Sequence, residues 1–125
     1  MNFYLLLMVA IGGAIGAILR YIVTIGSHAL LGHGFPYGTL LVNVIGSFVL
    51  GILSVLFIQR LHETSVLRAM LLIGLLGAFT TFSTFSFETI YLAEQGQFIK
   101  AGLNTILNVG LCLLAVYAGR RLLLG

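Results

Sequence analysis

A chain of 125 residues that is 60% hydrophobic and 7% charged, with a mean hydropathy of +1.17, lies far from soluble domains, where about a quarter of residues are charged. This is the composition of one small integral membrane domain. A net charge of +3, scattered along the chain, gives nucleic acid nothing to grip, and the single Cys112 excludes an intrachain disulfide.

Four apolar segments are long enough for helices that cross a hydrocarbon core of about 30 Å, which takes about 20 residues. The first, near 3–25, contains GGAIGAILRY, with Gly12 and Gly16 in a GxxxG spacing. No Lys or Arg precedes Arg20, whereas a secretory leader opens on basic residues, so this segment is expected to stay with the protein. SHALLGHGFPYG follows, with the sole proline, and is the longest gap in apolarity; it could carry a short helical turn. The second segment, near 38–58, places Thr39, Asn43 and Ser47 every four residues along one helix face, and Gly46 and Gly51 thin it. QRLHETSVLR separates it from the third segment, near 67–92, and AEQGQFIK leads into the fourth, near 98–122, where Asn104 and Asn108 repeat the four-residue spacing beside Thr105. Continuous apolar runs without period-two alternation make these helices rather than barrel strands. No tandem repeat or low-complexity tract interrupts them.

The third segment is the anomaly. Its stretch GAFTTFSTFSFET, residues 77–89, holds six hydroxyl side chains and Glu88 in the middle of an otherwise lipid-compatible run. Gly74 and Gly77 weaken the helix, the Thr80–Thr81 pair competes for backbone hydrogen bonds, and Ser or Thr can cap a second half-helix, so a break is expected here. A continuous helix with a small-residue face is the alternative. Broken backbone at membrane depth is tolerated only inside protein or against water, and its carbonyls and new amino terminus become cation and anion sites respectively. Thr81, Thr84 and Glu88 fall on one face, with Phe82 and Phe85 on a neighbouring one. Polar residues in spans commonly serve as interhelical hydrogen-bond glue. Three helices with parallel polar rows fit a water-lined track better, because glue needs one or two contacts and a track needs a continuous row. Phenyl edges are electron-poor, so paired rings could solvate a small anion without the deep trap of a buried cation, although phenylalanines spaced i, i+3 ordinarily just pack.

Charge also bears on orientation. The side bearing both termini and the second loop has Arg60, Arg68, Arg120 and Arg121, against Lys100 and Arg20 on the other, a weak positive-inside bias. So weak a bias permits insertion both ways and an antiparallel pair; a single orientation set by the four arginines is the simpler alternative. Four helices enclose no wide pathway alone, so oligomerisation is expected, though GxxxG more often marks intramolecular packing than dimerisation.

GGAIGAILRY at 12–21, GTLLVNVIGSFVLG at 38–51 and GLLGAFTTFSTFSFET at 74–89 closely resemble, in order, the Fluc (CrcB-type) family of fluoride channels. The TTFSTFS element is the specific one; the fourth helix adds little. The resemblance implies an all-α integral membrane protein of four transmembrane helices, the third broken near its middle, working as an antiparallel dual-topology homodimer in the bacterial inner membrane. It implies passive export of cytoplasmic fluoride, relieving fluoride toxicity, with no chemistry on a substrate. Phe82 and Phe85 match the paired pore phenylalanines, Asn43 the asparagine that hydrogen-bonds in the pathway, and Ser83 and Thr84 hydroxyl residues of the break. Thr39 and Glu88 match polar positions farther along the route, and Arg20 an arginine near the aqueous vestibule. Gly77 and Thr80 match residues whose backbone carbonyls, two from each subunit, hold a central structural sodium. The departure is in the fourth helix, where Asn104 and Asn108 replace the family's frequent hydroxyl or tyrosine.

A small multidrug-type proton-coupled antiporter shares this size and plan, but is expected to carry a carboxylate in its first helix, and this one has none. A merely structural subunit would leave the polar rows unexplained. An enzyme is the poorest fit, since His28, His33 and His62 fall in or near loops without a ligand constellation.

Overall fold

The structure, a computed structural model, describes residues 2–60 and 66–125, with Gln59 and Arg60 described by their backbone alone. Every element among the described residues is helical. The first helix, Phe3–Leu31, opens where Asn2 Oδ1 accepts the Tyr4 N–H (2.9 Å) and closes at Gly32, whose positive φ of 79° turns the chain as its N–H bonds the His28 carbonyl. It therefore outruns the apolar stretch read from sequence: a helix ends where backbone groups find a terminator, and Ser27 and His28 are not one. The second helix, Tyr37–Ser54, starts directly after Pro36 and continues through wider π-type turns over Val55–Arg60.

The third span is built from pieces. Val66–Arg68 runs into π-helical Ala69–Leu75 and then α-helical Leu76–Phe79, the Leu76 N–H reaching back five residues to the Leu71 carbonyl. A separate α-helix, Phe82–Glu94, follows. Gly96, at φ 78°, then turns the chain into the fourth helix, Phe98–Leu124. Among the described residues, four helical stretches are long and apolar enough to cross a membrane, Phe3–Leu31, Tyr37–Ile58, Val66–Glu94 and Phe98–Leu124, and the chain is a multi-pass membrane protein.

Close backbone approach organises the bundle, because lipid supplies no hydrophobic drive between helices and van der Waals contact must replace it. The first helix packs on the first half of the third span, where a methyl group on Gly12 would overlap the Met70 carbonyl, one on Gly16 the Leu75 carbonyl and one on Gly74 the Val9 carbonyl. The second helix packs on the fourth reciprocally: Gly51 lies against the Val116 carbonyl and Gly119 against that of Phe48. The GxxxG glycines are thus spent inside the chain. Val42 and Val55 are fully buried in a thin core with Phe57, Leu76, Phe79, Phe85, Ala101 and Ala115. Most other large apolar side chains face outward, as lipid-facing helices require.

Candidate ion pathway

Between the two halves of the third span, Thr80 and Thr81 adopt extended backbone (ψ 159° and φ −152°), so the helix ends at Phe79 and restarts at Phe82. Extended residues in a membrane must place their polar groups elsewhere. Thr80 turns back, its N–H (3.1 Å) and Oγ1 (3.0 Å) both donating to the Leu76 carbonyl. Thr81 turns outward to the second helix, its N–H donating to Asn43 Oδ1 (2.8 Å) and its carbonyl accepting from Asn43 Nδ2 (3.1 Å). One side-chain amide thus pairs with a peptide group as a neighbouring strand would. Thr81 also caps the restarted helix: its Oγ1 accepts the Thr84 N–H (3.1 Å), donates to Thr84 Oγ1 (3.1 Å) and lies 3.4 Å from Ser83 Oγ.

Among the carbonyls the break leaves without a helical donor are those of Gly77 and Thr80. In a continuous helix Gly77 would accept from the Thr81 N–H and Thr80 from the Thr84 N–H; the first donor is held by Asn43 and the second by the Thr81 hydroxyl. Gly77 is exposed, and a side chain there would meet only the Leu72 carbonyl, 4.0 Å away. Carbonyl oxygens without a hydrogen-bond partner among the described residues, beside an open glycine, are hard, neutral ligands of the kind that suit an alkali cation.

Beside the break lies a groove of about 390 Å³, whose walls include Asn43, Ser47, Gly77, Thr80, Phe82, Phe85, Asn108 and Cys112. Gly46 lets it form, since a methyl there would overlap the Thr80 side chain. Phe82 and Phe85 meet edge to face, ring centroids 5.4 Å apart at 62°. Phe85 is 7% exposed and Phe82 76%, so one ring is fixed in the core and the other stands in the open groove.

The sequence-expected residues thus divide. Asn43, Gly77, Thr80, Phe82 and Phe85 converge on the groove, and Ser83 and Thr84 join it through Thr81. Thr39 and Glu88 meet as a pair one to two turns away, with Glu88 Oε1 buried and without a hydrogen-bond partner among the described residues. Arg20, half-buried in the first helix, is not on the groove wall. His28 and His33, their rings tilted at 38° with centroids 4.2 Å apart, lie at and just past the C-terminal end of the first helix, and His62 lies outside the described residues. Sequence reading underrated Thr81, which is gripped at both its N–H and carbonyl while also serving as the cap; its place three residues before Thr84 was the available signal.

Comparison with known proteins decides the family. Residues 7–120 match the model of the CrcB-like protein family, described as camphor resistance (CrcB). This chain belongs to that family. A relative from Shewanella sp. (strain ANA-3), named "Fluoride-specific ion channel FluC", is 51% identical over 117 residues, covering 94% of both chains. One of the same name from Shewanella baltica is 52% identical over the same length and shares. A third, from Methylococcus capsulatus, is 52% identical over 124 residues, which span 96% of this chain and 54% of that longer relative.

Proposed function

We propose that this chain is a fluoride-selective channel of the inner membrane, letting cytoplasmic fluoride leave passively as two oppositely inserted copies pair. The observation that carries the reading is the edge-to-face Phe82–Phe85 pair standing in a groove beside a capped helix break, in a chain half identical to proteins named for fluoride conduction. Fluoride is the smallest halide and loses the most on dehydration. Ring hydrogens and neutral dipoles can replace its water without a cationic trap.

The break then has two tasks. Its restarted amino terminus, with the Ser83 and Thr84 hydroxyls, offers donors to an anion moving along the phenyl edges. Thr39 and Glu88 continue the polar route, and Arg20 draws anions towards the vestibule. Both N–H bonds of Asn43 are committed, to Thr81 and to Asn108 Oδ1 (2.9 Å), so an anion drawing on that amide must displace one of them. The freed carbonyls of Gly77 and Thr80 would hold a structural sodium with their counterparts in the second copy, a bound charge that locks the pair together. A second copy would also cover the groove, where the exposed Ser83 hydroxyl at membrane depth finds no partner in lipid.

An antiporter reading gains nothing from the fold, whose first helix holds no carboxylate. Vesicles reconstituted with the pure protein test the proposal: fluoride should be released rapidly and chloride very slowly. Equal release of the two halides removes the selectivity claim, and an experimental dimer structure in sodium with no ion between the Gly77 and Thr80 carbonyls removes the sodium.

A further inference from the structure

The fourth helix carries two buried amides that the pathway above does not use in full. Asn104 has no exposed surface and Asn108 is 5% exposed. Their bonds run in one direction. Thr89 Oγ1 donates to the Phe85 carbonyl (2.8 Å) and accepts from Asn104 Nδ2 (2.9 Å); Asn104 Oδ1 accepts from Asn108 Nδ2 (3.0 Å); Asn108 Oδ1 accepts from Asn43 Nδ2 (2.9 Å). Asn43 in turn holds both polar groups of the Thr81 peptide. The chain therefore leaves the restarted half of the third span at Phe85, crosses the fourth and second helices, and returns to the third span at Thr81.

Counting donors shows why this loop fixes geometry. Amide groups can flip, exchanging oxygen for nitrogen, unless their neighbours specify which end must donate. The Thr81 N–H demands an oxygen from Asn43, so its nitrogen faces Asn108; Asn108 must then present oxygen to Asn43 and nitrogen to Asn104. Asn104 must present oxygen back and nitrogen to Thr89. A flip of any one member would set two donors or two acceptors against each other among buried groups, where each unpaired one is costly.

We propose, resting on the channel reading above, that Asn104 and Thr89 are positioning residues for anion passage. Neither is on the groove wall. Through Asn108 they hold the Asn43 amide in the orientation that grips Thr81, and that grip sets where the restarted helix begins and hence how Phe82 and Phe85 present their edges. The loop also ties Thr81 to the Phe85 carbonyl from both ends, so the ring pair and the break move as one unit.

The test compares Thr89→Val, which keeps the side-chain shape and removes the hydroxyl, with Thr89→Ser, which keeps the hydroxyl. Two quantities are read on the purified, vesicle-reconstituted protein: the ratio of fluoride to chloride release, and hydrogen exchange at the Thr81 amide. Expected are a fall in the release ratio of about five- to tenfold in Thr89→Val, the effect of about one buried hydrogen bond, and faster exchange at Thr81, with both restored in Thr89→Ser. An unchanged ratio with faster exchange reduces the chain to structural glue and overturns the proposal. A changed ratio with unaltered exchange overturns it too, because the effect would not pass through Thr81. Should the Asn104 amide, left unpaired against valine, prevent folding, Thr89→Ala gives the same comparison with room left where the hydroxyl stood. If the unsubstituted protein releases no fluoride, the channel reading is what fails, and exchange at Thr81 still decides whether the amide chain exists.

Discussion

Two kinds of helix contact share this small bundle and are held by opposite chemistry. At the crossings of the first helix with the third span and of the second with the fourth, side chains are absent, and Gly12, Gly16, Gly51, Gly74 and Gly119 bring backbones into direct contact. At the Thr80–Thr81 break, Asn43, itself held by Asn108, and the Thr81 hydroxyl take up the Thr81 and Thr84 N–H groups that the helix would have used. The first arrangement is strong because nothing in it needs a partner. The second works because side chains take up the donors of the broken helix and leave the Gly77 and Thr80 carbonyls open. The difference teaches where change is tolerated: the crossings resist any added atom, and the break resists any removed donor or acceptor.

The sharpest way to break that comparison is to add atoms at a crossing. Gly51→Leu drives a side chain into the Val116 carbonyl, which belongs to backbone and cannot rotate away. Separation of the second and fourth helices and loss of the folded protein on size-exclusion chromatography are expected. Gly26→Ala, where a methyl meets nothing within 4 Å, should leave stability unchanged or raise it by up to about 1 kcal/mol. Next is Asn43→Leu, which strands the Thr81 N–H and carbonyl and Asn108 Oδ1 together. A loss of about 2–4 kcal/mol in thermal unfolding and abolished fluoride release are expected. Thr81→Val removes only the cap bonds and should cost about 1 kcal/mol, with Thr81→Ser recovering it. Smallest is Lys100→Met, which deletes a solvent-exposed bond to the Gly34 carbonyl (2.8 Å) and should shift stability by no more than about 0.5 kcal/mol.

Much of this was legible in the amino-acid sequence, for physical reasons that differ by region. Length and apolarity alone specify four membrane-crossing helices, because lipid forbids most alternatives. Asn43, Phe82 and Phe85 could be singled out since polar or paired aromatic residues at helical spacing are conspicuous in an apolar run. What could not be read was the wiring. The second helix's row put Asn43 on one face with Thr39 and Ser47, and the fourth helix's row put Asn104 with Asn108, yet periodicity says nothing of which amide donates to which, or that Thr89 closes the chain at Phe85. The glycines were likewise visible as small residues, but their partners, a carbonyl on a particular turn of another helix, depend on crossing positions that no local pattern encodes. The π-helical turns over Ala69–Leu75 left no signal distinguishable from an ordinary helix.

The central claim is that phenyl edges beside a capped break carry the anion. It is tested most directly by fluoride release from vesicles containing the Phe82→Leu, Phe85→Leu double variant, checked to be folded and assembled like the parent. Leucine fills similar space without a ring edge, so fluoride release should collapse while assembly persists. Release at the parent's rate from that protein would contradict the account.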